Sequence, residues 1–142
     1  MVRPVPELWE YLTLRGKANP GDLKTVDPFL LMFSPATRAE MPQEVLDEIA
    51  SLYFNVRRTD DEGYAQQQIA CRDMDSADRL GEVQAETLVI APKHDILIPP
   101  ENSMTIAKRI PNSRLVVLDH SAHAMIEDTE AMVELITGFI NG

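Results

Sequence analysis

The chain has 142 residues, 44% of them hydrophobic and 25% charged, enough to bury a core and well away from disordered or collagen-like compositions. Thirteen Lys and Arg against 23 Asp and Glu leave a formal net charge of −10, which repels phosphate backbones and anionic lipid and so speaks against nucleic-acid or membrane-surface binding. Cys71 is the one cysteine and can form no intrachain disulfide, no apolar run approaches the roughly 18 residues of a membrane span, and MVRPVPELWE lacks a signal pattern; a cytoplasmic protein without cofactor is expected.

In chain order, Pro6 with ELWEYLTLRG predicts a first helix closed by Gly16, followed by a turn at NPGD, residues 19–22. Asp27 and Pro28 open a short apolar helix, FLLMF, and Ser34 with Pro35 repeat the same start signal. From Pro42, the spacing of Val45, Leu46, Ile49, Leu52 and Tyr53 predicts an amphipathic helix with Glu44, Asp47 and Glu48 in water. RRTDDE interrupts the pattern, GYAQQQIACRDM resumes it with Asp60 or Asp61 as cap, and the short stretch DSADRLGEV follows.

The second half changes character. Thr87–Ala91 and Arg114–Leu118 are short runs rich in β-branched residues and predict strands. Between them PENSMTIAKRI predicts a helix with Met104, Ile106, Ala107 and Ile110 inward, and PNS its exit turn. Strand, helix, strand in this order requires parallel pairing. Asp128 or Thr129 caps a last helix whose buried face is expected at Ala131, Met132, Leu135, Ile136 and Phe139, with Glu127, Asp128 and Glu130 suiting its positive end. Two parallel strands alone make a poor sheet, so a further strand or a second chain is expected to complete it.

Taken together, the Asp-bearing turn in TLVIAPKHDILIPP, the helix, IPNSRLVVLD and the His-bearing loop DHSAHAMIEDTEA resemble the C-terminal part of an α/β-hydrolase. The likeness runs from about Asp75 to Ile140 and is greatest to the small esterase and lactonase branch, including 3-oxoadipate enol-lactonases, whose segments resemble GYAQQQIACRDMDSADRLGEVQAETLVI. The resemblance implies an α/β fold in which residues 1–80 form a helical, cap-like region and 81–142 a βαβα unit, within one structural domain. It makes Asp95 the positional equivalent of the acid in a Ser-Asp-His triad and His123 that of the base. A serine hydroxyl attacks poorly until a base removes its proton, and an imidazole does so well only when a carboxylate at Nδ1 holds one tautomer.

The pattern is incomplete. None of Ser34, Ser51, Ser76, Ser103, Ser113 and Ser121 stands in a Gly-x-Ser-x-Gly elbow, and the oxyanion loop and preceding strands of the family have no counterpart. APKHD and HSAH stand where relatives carry glycines, and Glu127 stands one position nearer the histidine than the family's acid does. The readings left are a hydrolase-related chain without a nucleophile of its own, inactive alone and dependent on a complementing chain to act on a small apolar ester or lactone; or a non-catalytic binding protein acting as a homodimer. A third is a metal site at His94, His120 and His123 with Asp95, whose ligand types suit it. Ser121 lies too near His123 in one loop to serve as its nucleophile. The methionines at 32, 41, 74, 104, 125 and 132 suit adaptable packing.

Overall fold

This computed structural model describes residues 29–55 and 61–142, and the part of the chain described before residue 77 is mainly helical. The helix expected from Pro6, the turn at 19–22 and the caps at Asp27 and Asp60 lie outside the described residues. Helix α1 spans Phe29–Met32, α2 Pro35–Glu40, α3 Gln43–Asn55 and α4 Asp61–Asp73. Ser34 caps α2 as expected: its backbone is extended and its hydroxyl accepts a hydrogen bond from the Thr37 amide at 3.3 Å. On α3, Glu44, Asp47 and Glu48 face water, but Val45, expected inward, is also exposed, at 40%. Cys71 is exposed on α4.

A 3-10 helix at Ala77–Glu82 leads into strand β1, Thr87–Pro92, which is followed by helix α5, Pro100–Arg109, and strand β2, Ser113–Leu118. The strands pair in parallel, with Val89 opposite Leu115 and Ala91 opposite Val117. Each strand extends one residue beyond its β-branched run, because flanking polar groups continue the ladder: the Thr87 amide donates to Asn112 O at 2.9 Å and the Lys93 amide to Leu118 O at 3.0 Å. Helix α5 begins on a proline, carries Glu101 in its first turn and Lys108 and Arg109 in its last, all favourable to the helix dipole, and packs on both strands. Ile110 is buried as expected, whereas Met104 is 44% exposed and Asn102, one turn from Ile106, takes the buried place instead. Val89, Ala91, Pro92, Ile110 and Leu118 with Leu31, Phe33 and Ala122 are the buried apolar residues described.

The last helix, α6, spans Thr129–Asn141. Its amphipathic face exists, but the described residues do not bury it: no α6 residue is buried, Met132, Leu135 and Phe139 are half-buried, and Ile136 is 40% and Ile140 74% exposed. The helix stands off β2 across a groove of about 640 Å³ lined by Val116, Leu118, Ala131, Leu135 and Gly138. The sheet itself has two strands among the described residues, in the order β1-β2. No described helix is long and apolar enough to cross a membrane.

Candidate active site

The parallel ladder does not stop where the strands do. Beyond Lys93, the His94 amide donates to the carbonyl of Ser121 at 3.0 Å, so the turn after β1 and the loop after β2 remain joined. Parallel strands bring their C-terminal ends side by side, and open α/β sheets place their sites at that edge. Here the edge carries Asp95 from one turn and His123 from the neighbouring loop.

Asp95 is 6% exposed. Its Oδ1 accepts hydrogen bonds from the amides of Leu97 at 2.9 Å and Ile98 at 2.8 Å, which satisfies one carboxylate oxygen locally and fixes the plane of the group. The second oxygen, Oδ2, is thereby aimed across the strand ends at His123 Nδ1, 2.9 Å away. The hydrogen bond it donates to Asp95 holds the pKa of the imidazole above the ordinary value of 6.5; partial burial pulls it the other way, and the negative charge of Asp95 adds to the rise. With Nδ1 donating to the carboxylate, Nε2 is left as the proton acceptor of the neutral ring. The His123 side chain is 39% exposed, so that nitrogen belongs to a ring a substrate or nucleophile can approach.

The loop that carries His123 is held from several sides. Ser121 is fully buried; its hydroxyl donates to Asp128 Oδ2 at 2.8 Å and accepts from the Asp128 amide at 3.1 Å. The same carboxylate oxygen accepts the His120 amide at 3.1 Å. Asp128 therefore stands at the N-cap of α6 without capping it by its side chain, because that side chain closes the loop instead. Met125 is left-handed, with φ 53, a conformation that costs a non-glycine residue about 1–2 kcal/mol and is held between the Met125 amide's bond to Ala122 O and the closure behind it. Two further contacts join the loop to the helical half: the His123 amide donates to Leu31 O at 3.1 Å, and Glu127 Oε1 accepts from the Ser34 amide at 2.6 Å.

The structure thus brings Asp95 and His123 together and separates the other candidates. His94 donates from Nε2 to the carbonyl of Asp119 at 3.1 Å, while Lys93 pairs with the Asp119 carboxylate at 2.8 Å on the surface. Among the described residues no group of three or more His, Cys, Asp or Glu is placed to hold a metal ion. Ser121 points into its bond with Asp128, away from any role toward His123. The bracing by Ser121, Asp128 and Glu127 escaped sequence reasoning; a serine and an aspartate at the two ends of a His-bearing loop were its only signal.

No family model matches the chain. Among curated proteins it is similar to one provisionally named carbamate hydrolase RutD from Agrobacterium fabrum, 43% identical over 56 residues, which are 39% of this chain and 22% of that protein. The protein of the same name from Pseudomonas savastanoi pv. phaseolicola is 36% identical over 63 residues, 44% of this chain and 24% of the other. Among solved structures, the enol-lactonase from Burkholderia xenovorans superposes with a TM-score of 0.75 at 24% identity, over 99% of this chain and 53% of that one. An esterase from Exiguobacterium antarcticum gives 0.73 at 22% identity, over 95% and 48%. The chain therefore spans under a quarter of these two curated relatives and about half of the solved structures. Its fold is that of part of an α/β-hydrolase, and its structural neighbours include an enol-lactonase and esterases.

Proposed function

We propose that the chain carries the acid and the base of a serine hydrolase acting on a small ester, lactone or carbamate, and that the serine they serve lies outside these 142 residues. The observation that carries this reading is the orientation of Asp95: one carboxylate oxygen is fixed by two amides and the other holds His123 Nδ1 at 2.9 Å. In the reaction, His123 Nε2 takes the proton of the serine hydroxyl as its oxygen bonds to the substrate carbonyl carbon. Asp95 stabilises the imidazolium that forms. The imidazolium then protonates the departing oxygen or nitrogen as its bond to carbon breaks, leaving an acyl-serine. Water repeats the sequence in reverse to release the acid. The names of the relatives share this acyl-carbonyl chemistry and support the substrate class.

Complementation tests the reading. The 142-residue chain is co-expressed with the Gly-x-Ser-x-Gly-bearing half of an enol-lactonase, and the purified pair is treated with a fluorophosphonate probe. Labelling of the serine that is lost in His123→Ala is the expected result, with no labelling of the 142-residue chain alone. A pair that co-purifies and labels equally well with His123→Ala, or labelling of the chain alone, overturns it.

A second reading, a non-catalytic small-molecule-binding or interaction protein acting as a homodimer, is favoured by the uncovered face of α6 and by the outer edge of β1, which has no strand partner among the described residues. Open apolar edges associate unless paired or covered. This version requires a dimer at micromolar concentration, and a monodisperse monomer by light scattering sinks it.

A further inference from the structure

The segment 31–34, from the end of α1 to the cap of α2, holds the His123 loop at two points. The His123 amide donates to Leu31 O at 3.1 Å, and four residues on, Glu127 Oε1 accepts from the Ser34 amide at 2.6 Å. Between these points the chain passes through the left-handed Met125, so the loop cannot slide along the segment without undoing one bond or the other. The segment is itself anchored, since Leu31, Phe33 and Ser34 are 6%, 5% and 3% exposed. The second oxygen of Glu127, Oε2, is shielded from water and has no hydrogen-bond partner among the described residues. A shielded polar atom without a partner is unfavourable for stability, so the favourable contact of this carboxylate is the one its Oε1 makes with the Ser34 amide. The Ser34 hydroxyl is engaged with Thr37, so the contact to Glu127 runs through the backbone amide of residue 34 and depends on the acceptor alone.

We propose that Glu127 is a positioning residue: by clipping the loop to the Ser34 amide it seats the His123 imidazole on Asp95, so that displacement of the α1–α2 segment unseats the base. The inference rests on the reading of Asp95 and His123 as acid and base. It gives the α1–α2 segment a part in setting the protonation and tautomer of that base.

NMR titration of His123 in the 142-residue chain tests the clip without requiring catalysis. Glu127→Ala is expected to lower the His123 midpoint toward 6.5 and to remove the low-field resonance of the Nδ1 proton, while Glu127→Gln, which keeps an acceptor oxygen, retains both. Ser34→Ala, which loses the cap to Thr37 but not the amide, is expected to leave His123 unchanged. A wild-type titration in Glu127→Ala overturns the proposal. So does an equal fall in Glu127→Gln, which would show a through-space charge effect, or an equal fall in Ser34→Ala, which would show general loosening of α2. If Glu127→Ala does not fold, hydrogen exchange in the unsubstituted chain decides: the Ser34 and His123 amides should open together, and exchange at Ser34 faster by about tenfold or more overturns the clip. An ordinary His123 midpoint in the unsubstituted chain would instead sink the acid–base pair itself, an outcome distinct from failure of the clip alone.

Discussion

Asp95 and His123 stand 28 positions apart and meet through a 2.9 Å hydrogen bond from imidazole Nδ1 to carboxylate Oδ2. Asp95→Asn keeps an oxygen for the amides of Leu97 and Ile98 but turns an NH₂ group toward Nδ1, which must then become the acceptor. The His123 midpoint should fall toward 6.5, with the neutral ring changing to the Nε2–H tautomer, read by ¹⁵N chemical shifts. In a complemented enzyme the same change should lower kcat by about 10⁴-fold, the scale of a triad base held in the wrong tautomer.

The same bond makes stability depend on pH. The folded-state pKa of His123 lies above its unfolded value of 6.5, so the folded state binds the proton more tightly. The contribution is then fully present below 6.5 and is lost as pH rises through the elevated folded midpoint. Thermal melts of the wild type against His123→Gln should differ most on the acid side of that window and converge above it. A gap that widens with rising pH would contradict the pairing.

Ser121→Ala removes a fully buried hydroxyl that serves the Asp128 carboxylate and the Asp128 amide at once. Loss of a buried partner of a charged group costs about 1–3 kcal/mol, measurable by urea titration. Because Ser121 O also joins the loop to the His94 amide, the destabilised loop should release His123 first, visible as faster exchange of the His123 amide than of the strand amides.

Gly138 lies in the C-terminal part of α6, where an added Cβ would meet nothing within 4 Å. Gly138→Ala should therefore stabilise the chain by about 1 kcal/mol through helix propensity alone. If a second copy or a complementing chain packs closely on α6 at this point, the same alanine should weaken that association in sedimentation experiments while still raising the stability of the free chain.

Among the described residues the order and type of the α-helices and strands were legible because each has a local cause. Ser34 with Pro35 starts α2 wherever α2 lies, the β-branched runs at 87–91 and 114–118 make strands, and the acidic residues of α3 face water by their spacing alone. Burial was less legible. Val45 and Met104 have the periodicity of inward residues and lie exposed, and the spacing of α6 shows an apolar face without showing that the described residues leave it half open. Periodicity states which residues share a side of a helix; what lies against that side is a property of the rest of the fold.

The site divides along the same line. That Asp95 after one strand and His123 after the next would meet could be expected from resemblance and from the rule that parallel strands align their C-terminal ends. The buried hydroxyl of Ser121 on Asp128 and the contact of Glu127 with an amide 93 positions away have no local pattern, because hydrogen bonds between distant segments depend on the path of the chain through space. The residue types, the strand order and the two loops that carry the acid and the histidine follow from the amino acids in line. The 2.9 Å approach of Asp95 to His123, and the brace that holds it, exist only once two loops and a helical segment are packed against one another.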